Sequence, residues 1–269
     1  MTMKRLIPVL AAVAAALSSC ASGPATIEQK FPKIWAEGFN LEAHRGFSDE
    51  FPENTEASFR AAVEVGRPHY QGMESDVQMT VDSVIVMIHD SNVDRTTDGT
   101  GAVKDYRYED LVMLDAGNGE KVPTFECYLD YCREACFIPY VELKTDDRAA
   151  ILRAFAILAD KGWKDGDYVV TSFKLDALAF AATLCDTPME YMAASFTPEK
   201  VDEAVAAIPA NLVIRPKASG ITQELVDLCA GKGLLIEAYG LPVGDKPLLD
   251  SLKAWGVKGV TCNSWKGLE

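Results

Sequence analysis

Basic residues are scarce in this chain. Its 26 lysines and arginines face 40 aspartates and glutamates, for a formal net charge of −14. A chain so acidic repels nucleic-acid phosphates, which argues against a nucleic-acid-binding role. Any anionic substrate must then be drawn in locally, by a metal and by the few cations beside it. The seven cysteines form no Cys-x-x-Cys pair and no finger-type cluster with the three histidines, which speaks against zinc. No Gly-x-Gly-x-x-Gly follows the first predicted strand, which counts against a dinucleotide fold. No short internal repeat occurs. After the first twenty residues no stretch is apolar enough to span a bilayer.

Those first twenty residues read as an export signal. Lys4 and Arg5 form a basic start, and Leu6 to Leu17 is an apolar run too short for a stable membrane span. The ending Leu17-Ser18-Ser19-Cys20 resembles a bacterial lipobox, in which the cysteine is lipidated and becomes the mature N-terminus. The alternative is an ordinary secretory signal cleaved after a small residue. The expected division is a lipoprotein-type signal peptide over 1–19, a tether over 20–35, and one domain over 36–269. The expected location is the cell envelope, with the membrane as partner through a lipid on Cys20. The remaining Cys127, Cys132, Cys136, Cys185, Cys229 and Cys262 would meet an oxidising compartment. Buried small hydrophobes and one or two disulfides are both open readings, although Cys132 and Cys136, one helical turn apart, have poor disulfide geometry.

Beyond the tether the pattern alternates between strand and helix. Leu41-Glu42-Ala43 is a short strand running into His44. Asn54 or Thr55 can cap a helix carrying Phe59, Ala62 and Val63 at helical spacing, ended by Gly66 and Pro68. Met73 to Met79 and Val84 to Ile88 read as a hairpin. Residues 90–138 break the rhythm with turn-rich sequence and short helices near 108–114 and 125–136, and read as an insertion. From Pro139 strands recur at 140–143, 168–172, 190–193, 212–214, 234–239 and 257–261, with helices between them. With the first strand and one hairpin strand the count is eight, which fits a closed parallel (β/α)8 barrel better than an open sheet.

Three clusters at predicted strand ends carry the chemistry. Glu74 and Asp76 are two apart on a strand and share a face, where adjacent carboxylates repel unless a cation sits between them. Glu142 on the next barrel strand can complete an oxygen set suited to Mg²⁺ or Ca²⁺. His44 and His89 both end strands beside a charged neighbour and offer an acid and a base around one phosphorus. Arg45 is placed to grip a phosphate oxygen or to pair with an acid such as Glu53. Lys144 supplies a second cation, or charge balance for Glu142. His69, in a loop with no partner motif, reads as structural.

At these residues the chain resembles the glycerophosphodiester phosphodiesterase family. The family pattern is met in order by His44-Arg45-Gly46, Pro52-Glu53-Asn54-Thr55, Glu74-Ser75-Asp76-Val77 with Thr80 and Asp82, His89-Asp90, Arg95-Thr96-Thr97 and Glu142-Leu143-Lys144. Pro123-Thr124-Phe125 is similar to a further family segment. Two later segments depart from it: Tyr239-Gly240-Leu241-Pro242 replaces a Trp-Thr-Val-Asn pattern, and Asn263 stands where an aspartate is usual. The resemblance implies a TIM barrel with a small insertion after the second strand. It implies a divalent metal on Glu74, Asp76 and Glu142, an acid–base pair in His44 and His89, and phosphate contacts from Arg45 and Lys144. The expected reaction is hydrolysis of small glycerophosphodiesters to glycerol 3-phosphate and an alcohol. A lysophospholipase D-like activity on lipids and a catalytically degenerate binding barrel are the rival readings.

Overall fold

The computed structural model describes residues 25–269. The expected signal peptide and Cys20 lie outside the described residues. The described residues start with a short helix α1 (Ile27–Lys30) and enter β1 (Asn40–His44), α2 (Glu56–Glu64), β2 (Gly72–Met79) and β3 (Ile85–Met87). A small helix α3 (Tyr108–Leu111) precedes α4 (Phe125–Ala135) and β4 (Ile138–Leu143). Strict alternation follows: α5 (Arg148–Asp160), β5 (Val169–Ser172), α6 (Leu175–Ala181), β6 (Met189–Ala193), α7 (Pro198–Ala207), β7 (Leu212–Pro216) and α8 (Gln223–Gly231). The next strand is split into β8 (Leu235–Ile236) and β9 (Ala238–Leu241), and α9 (Lys246–Trp255) leads to β10 (Gly259–Cys262).

The helices begin where the sequence supplies a capping oxygen. Thr55, Thr124, Asp147, Thr197, Thr222 and Asp245 each accept a backbone N–H of the first turn they precede. The strands pair in parallel in the order β8-β7-β6-β5-β4-β2-β1-β10-β9. Because β8 and β9 are two parts of one stretch interrupted at Glu237, the ring closes on itself, and the Lys258 N–H donates to the Ile236 carbonyl across the seam at 2.9 Å. This is a (β/α)8 barrel, with β3 pairing antiparallel to β2 at its edge. One large apolar cluster fills the space between strands and helices.

Two boundaries differ from the sequence expectation. The segment read as a tether up to residue 35 is folded from α1 onward. Phe31, Ile34 and Trp35 are buried with Tyr140, Val169 and Val213, closing the end of the barrel where the strands begin. Three aromatic or aliphatic side chains in a polar stretch gain enough by burial to hold it there. The span 90–138, read as one insertion, has two packing environments. Val93, Val103, Leu111, Ala116 and Val122 form their own small core with Val86 and Ile88, whereas Phe125, Tyr128, Leu129 and Cys132 of α4 join the main core. Helix α4 is therefore the barrel helix between β2 and β4, and the added piece ends near Val122. All six cysteines among the described residues are free, so of the two open readings the disulfides are not formed.

Inside the barrel, below the strand ends, Arg215 reaches across to Glu42, Glu190 and Glu237. All four side chains are fully buried. Trp35 donates its indole N–H to Glu237 at 2.5 Å, tying the closed end to this ionic layer. Nothing in the sequence reading anticipated it. Arg215 follows one predicted apolar strand, 212–214, and each glutamate looks like a lone charge until the ring brings them together.

Candidate active site

The open end of the barrel gathers all seven residues singled out from the sequence. The turn after β1 sets the first two. Arg45 and Gly46 have φ of +57° and +79°, a left-handed pair that swings the chain sharply out of the strand. A Cβ on Gly46 would lie 2.6 Å from the backbone of Ser58, so only glycine fits. The Arg45 N–H donates to the Glu74 carbonyl at 2.9 Å, while the Arg45 carbonyl accepts from Ser58 Oγ and Asn54 N–H. The His44-Arg45 step is thereby pinned to both β2 and the start of α2.

Glu74 and Asp76 project from β2, and Asp76 pairs in register with Glu142 on β4. The three carboxylates are buried, and one oxygen of each lies within 4.8 Å of the others. Both oxygens of Glu74 and Oδ1 of Asp76 have no hydrogen-bond partner. Buried acceptors left bare are costly, and three of them converging suits a hard divalent cation with oxygen ligands. The donor set therefore fits such an ion. Without one, burial followed by repulsion from Asp76 raises Glu74 well above the usual carboxylate range. The same two causes push Glu142 up to about 8. Burial acts on Asp76 too, but Arg45, Lys144 and His89 outweigh it and hold that carboxyl at about 2.

The two cations brace this cluster. Lys144 Nζ lies 2.6 Å from Glu142 and 3.5 Å from Asp76. Arg45 lies 2.8 Å from Glu53 and 3.3 Å from Asp76. Both thus form the ion pairs that the sequence offered as the alternative to phosphate binding, and both remain at the rim of the cluster with part of the side chain exposed. The histidines are held by partners of opposite character. His44 Nδ1 is 2.6 Å from Asn263 Oδ1, and its Nε2 is 3.8 Å from Glu74. Burial, then the charge of Arg45, lowers the His44 imidazole to about 4. His89 Nδ1 is 2.5 Å from Asp90 Oδ1. Oxygen acceptors at both Nδ1 atoms place the ring proton there and leave each Nε2 free for chemistry.

Several further residues take part in contacts that the sequence reading did not assign to them. Asn54, with φ +56°, donates to Asp76 Oδ2 at 2.8 Å and accepts from Ser75 Oγ at 2.6 Å. It was read only as a possible helix cap, a role Thr55 takes. Asp90, Arg95 and Glu53 form an ionic chain from His89 back to Arg45. Gln78 donates to the carbonyls of Ile88, His89 and Asp90 and fixes their loop against β2. Asn263 follows Cys262, which pairs with Ala43, so it faces His44 across the β1–β10 seam. The signal for it was that register, which needs the ring closed. His69, expected to be structural, stacks on Trp265 at 3.7 Å between ring centres on the outside of the barrel.

Known proteins similar to this chain fall in one family. A profile of the glycerophosphoryl diester phosphodiesterase family matches residues 44–265. A glycerophosphodiester phosphodiesterase of Bacillus subtilis is 31% identical over 248 residues, 82% of this chain and 82% of that protein. Another, from Caldanaerobacter subterraneus, is 43% identical over 110 residues, a match spanning 38% of this chain and less than half (44%) of that relative. Among solved structures, an Oleispira antarctica phosphodiesterase in complex with the product sn-glycerol-3-phosphate superposes with a TM-score of 0.74. It is 23% identical, over 86% of this chain and 95% of that one.

Proposed function

The chain belongs to the glycerophosphoryl diester phosphodiesterase family, and on that premise we propose that it hydrolyses glycerophosphodiesters to glycerol 3-phosphate and an alcohol. The observation that carries the reading is the convergence of three buried carboxylates, two of them with bare oxygens, two cations and two imidazoles at one end of the barrel. The product bound to the Oleispira antarctica phosphodiesterase supports a small glycerol phosphate ester as substrate. Glu74, Asp76 and Glu142 would hold a divalent cation, Mg²⁺ or Ca²⁺, which when bound polarises phosphate oxygens and offsets their charge.

The side chains do the rest. Arg45 and Lys144, already positioned by carboxylates, neutralise the phosphate as charge builds on its oxygens. His89 is the base: the Asp90 carboxylate, 2.5 Å from Nδ1, orients the ring so that Nε2 takes the proton from the attacking hydroxyl, of water or of the substrate's own glycerol. His44 is the acid. Its protonated form carries the second proton on Nε2, 3.8 Å from Glu74, and gives it to the departing alcohol oxygen.

Two measurements test this. Excess chelator should abolish release of glycerol 3-phosphate, and added Mg²⁺ or Ca²⁺ should restore it; full turnover in chelator would end the metal reading. His44→Ala and His89→Ala should each cut kcat by about 10²–10⁴-fold with the fold intact. A substrate with a good leaving group should rescue His44→Ala and not His89→Ala. Rescue of the opposite variant would exchange the two roles, and near-normal kcat in both would defeat the chemistry. We carry export and attachment through Cys20 as part of the same proposal, on the strength of the Lys4-Arg5 start, the apolar run and Leu17-Ser18-Ser19-Cys20.

A further inference from the structure

Every contact that fixes residues 27–35 is made with the closed end of the barrel. Glu28 pairs with Lys258 at 2.9 Å, just before β10. Lys30 reaches Asp186 at 2.6 Å and Asn211 at 3.0 Å, before β6 and β7. Lys33 reaches Asp167 at 2.6 Å, before β5. Trp35 binds Glu237 inside the barrel. The chain therefore enters the fold from the end opposite His44, Glu74, Asp76 and Glu142.

The link between Cys20 and this fixed segment is short. Thr26 already caps α1. Six residues at full extension span about 20 Å. The eight residues of β2 alone run about 25 Å from the closed end to the open one, and the base segment and mouth loops add to that. A lipid on Cys20 cannot reach past the barrel to bring its mouth down onto the same bilayer.

We propose that the anchored chain stands on its closed end, with the catalytic mouth directed away from the bilayer that holds it. Its substrates are then soluble, deacylated glycerophosphodiesters and not the lysophospholipids of that bilayer. This rests on the hydrolase reading and on attachment through Cys20. Exposed Phe51, Val81, Met113 and Phe173 on the mouth loops are what a lipid-cleaving mouth would display, so the orientation decides between the two substrate classes.

The test uses the full lipidated chain in vesicles. Cys136 ends α4 at the closed end and is the exposed cysteine among the described residues. Met113 is 73% exposed on the added piece at the mouth. A dye on Cys136, or on Met113→Cys in a Cys136→Ser background, is read against a membrane-bound energy acceptor. Transfer from position 136 should exceed transfer from position 113 at least twofold; equal or reversed transfer overturns the orientation. Glycerophosphocholine in solution should be cleaved within about twofold of the rate of the chain lacking residues 1–20. Lysophosphatidylcholine in the same vesicles should be cleaved at least tenfold more slowly than by a variant with thirty Gly/Ser residues inserted after Pro24. Equal rates for the two would overturn the substrate assignment. A chain that does not sediment with vesicles, or that Cys20→Ala fails to release, refutes the attachment and the orientation with it. A chain that sediments with the expected dye pattern but cleaves neither ester refutes the hydrolase reading instead.

Discussion

Asp90 is the residue on which the proton chemistry turns. Its carboxylate holds His89 Nδ1 at 2.5 Å and is itself gripped by Arg95. That pair of contacts, above all the bonds from Arg95, keeps the carboxyl well below the usual range, so it is charged throughout the working pH. Asp90→Asn keeps the shape but loses the carboxylate that accepts from His89 Nδ1 and orients the ring. It should lower kcat roughly 10–100-fold, with KM changed little, because outer partners that orient a functional histidine carry effects of that size. The check is steady-state kinetics beside a denaturation curve. An unchanged kcat would show that His89 needs no carboxylate. The sequence displayed Asp90 beside His89, but adjacency does not say that a side chain turns back on its neighbour. Asn263 was even less legible, since it reaches His44 only through the seam between the first and last strands.

The turn leaving β1 is the element that turns strand geometry into site geometry. Its two left-handed residues bring the His44-Arg45 step over the barrel mouth, and Ser58 at the start of α2 closes against it. Gly46→Ala would force an L side chain into that conformation, at a cost of roughly 1–3 kcal/mol, and drive a Cβ into the Ser58 backbone. The expected result is a lower urea midpoint and a kcat reduced by about tenfold or more, as Arg45 is displaced. A variant with wild-type midpoint and rate would mean the turn has slack. Most elements of this kind were legible: helices alternate with the strands from residue 139 on, as expected, and those at 198, 223 and 246 follow a capping side chain. The barrel strands were legible because their apolar runs have nowhere to go but inside. What the pattern hid was allegiance. Helix α4 follows a turn-rich stretch, so its sequence neighbours suggested the insertion, whereas its apolar face belongs to the main core. The segment 27–35 is polar on average and hides Phe31, Ile34 and Trp35, which pack at the barrel's closed end.

At the scale of the whole molecule the ionic layer inside the ring governs how stability responds to pH. One guanidinium faces three carboxylates there. Burial, only partly offset by Arg215, pushes Glu42 up to about 7. Burial and then repulsion from Glu42 push Glu237 up to about 8. Unfolded, both groups titrate near 4.5. The folded chain thus holds protons that the unfolded chain has released, and this contribution is whole below about pH 4.5 and is lost as pH rises through 7 to 8. Measured with saturating Mg²⁺, so that Glu74 and Glu142 are occupied, Tm should fall between pH 5 and 8.5. Glu237→Gln should flatten that fall. A Tm that rises over the same window would show that all three glutamates are ionised in the fold.

The closing of the ring also has a consequence for how the chain acquires its structure in time. The first strand pairs with the last, and the first helix and Trp35 are held by loops drawn from residues 167 to 258. Contacts so distant along the chain make folding slow, because a long loop must be closed before they return any free energy. A chain emerging N-terminus first would keep residues 27–35 waiting for partners spread from 140 to 258, and β1 without its second neighbour until β10 appears. Ring closure, base and ionic layer would then form together as one late event. A polypeptide ending before residue 259 should stay an open, aggregation-prone sheet, and a helper that binds exposed apolar segments would matter most in the interval before the final strand arrives.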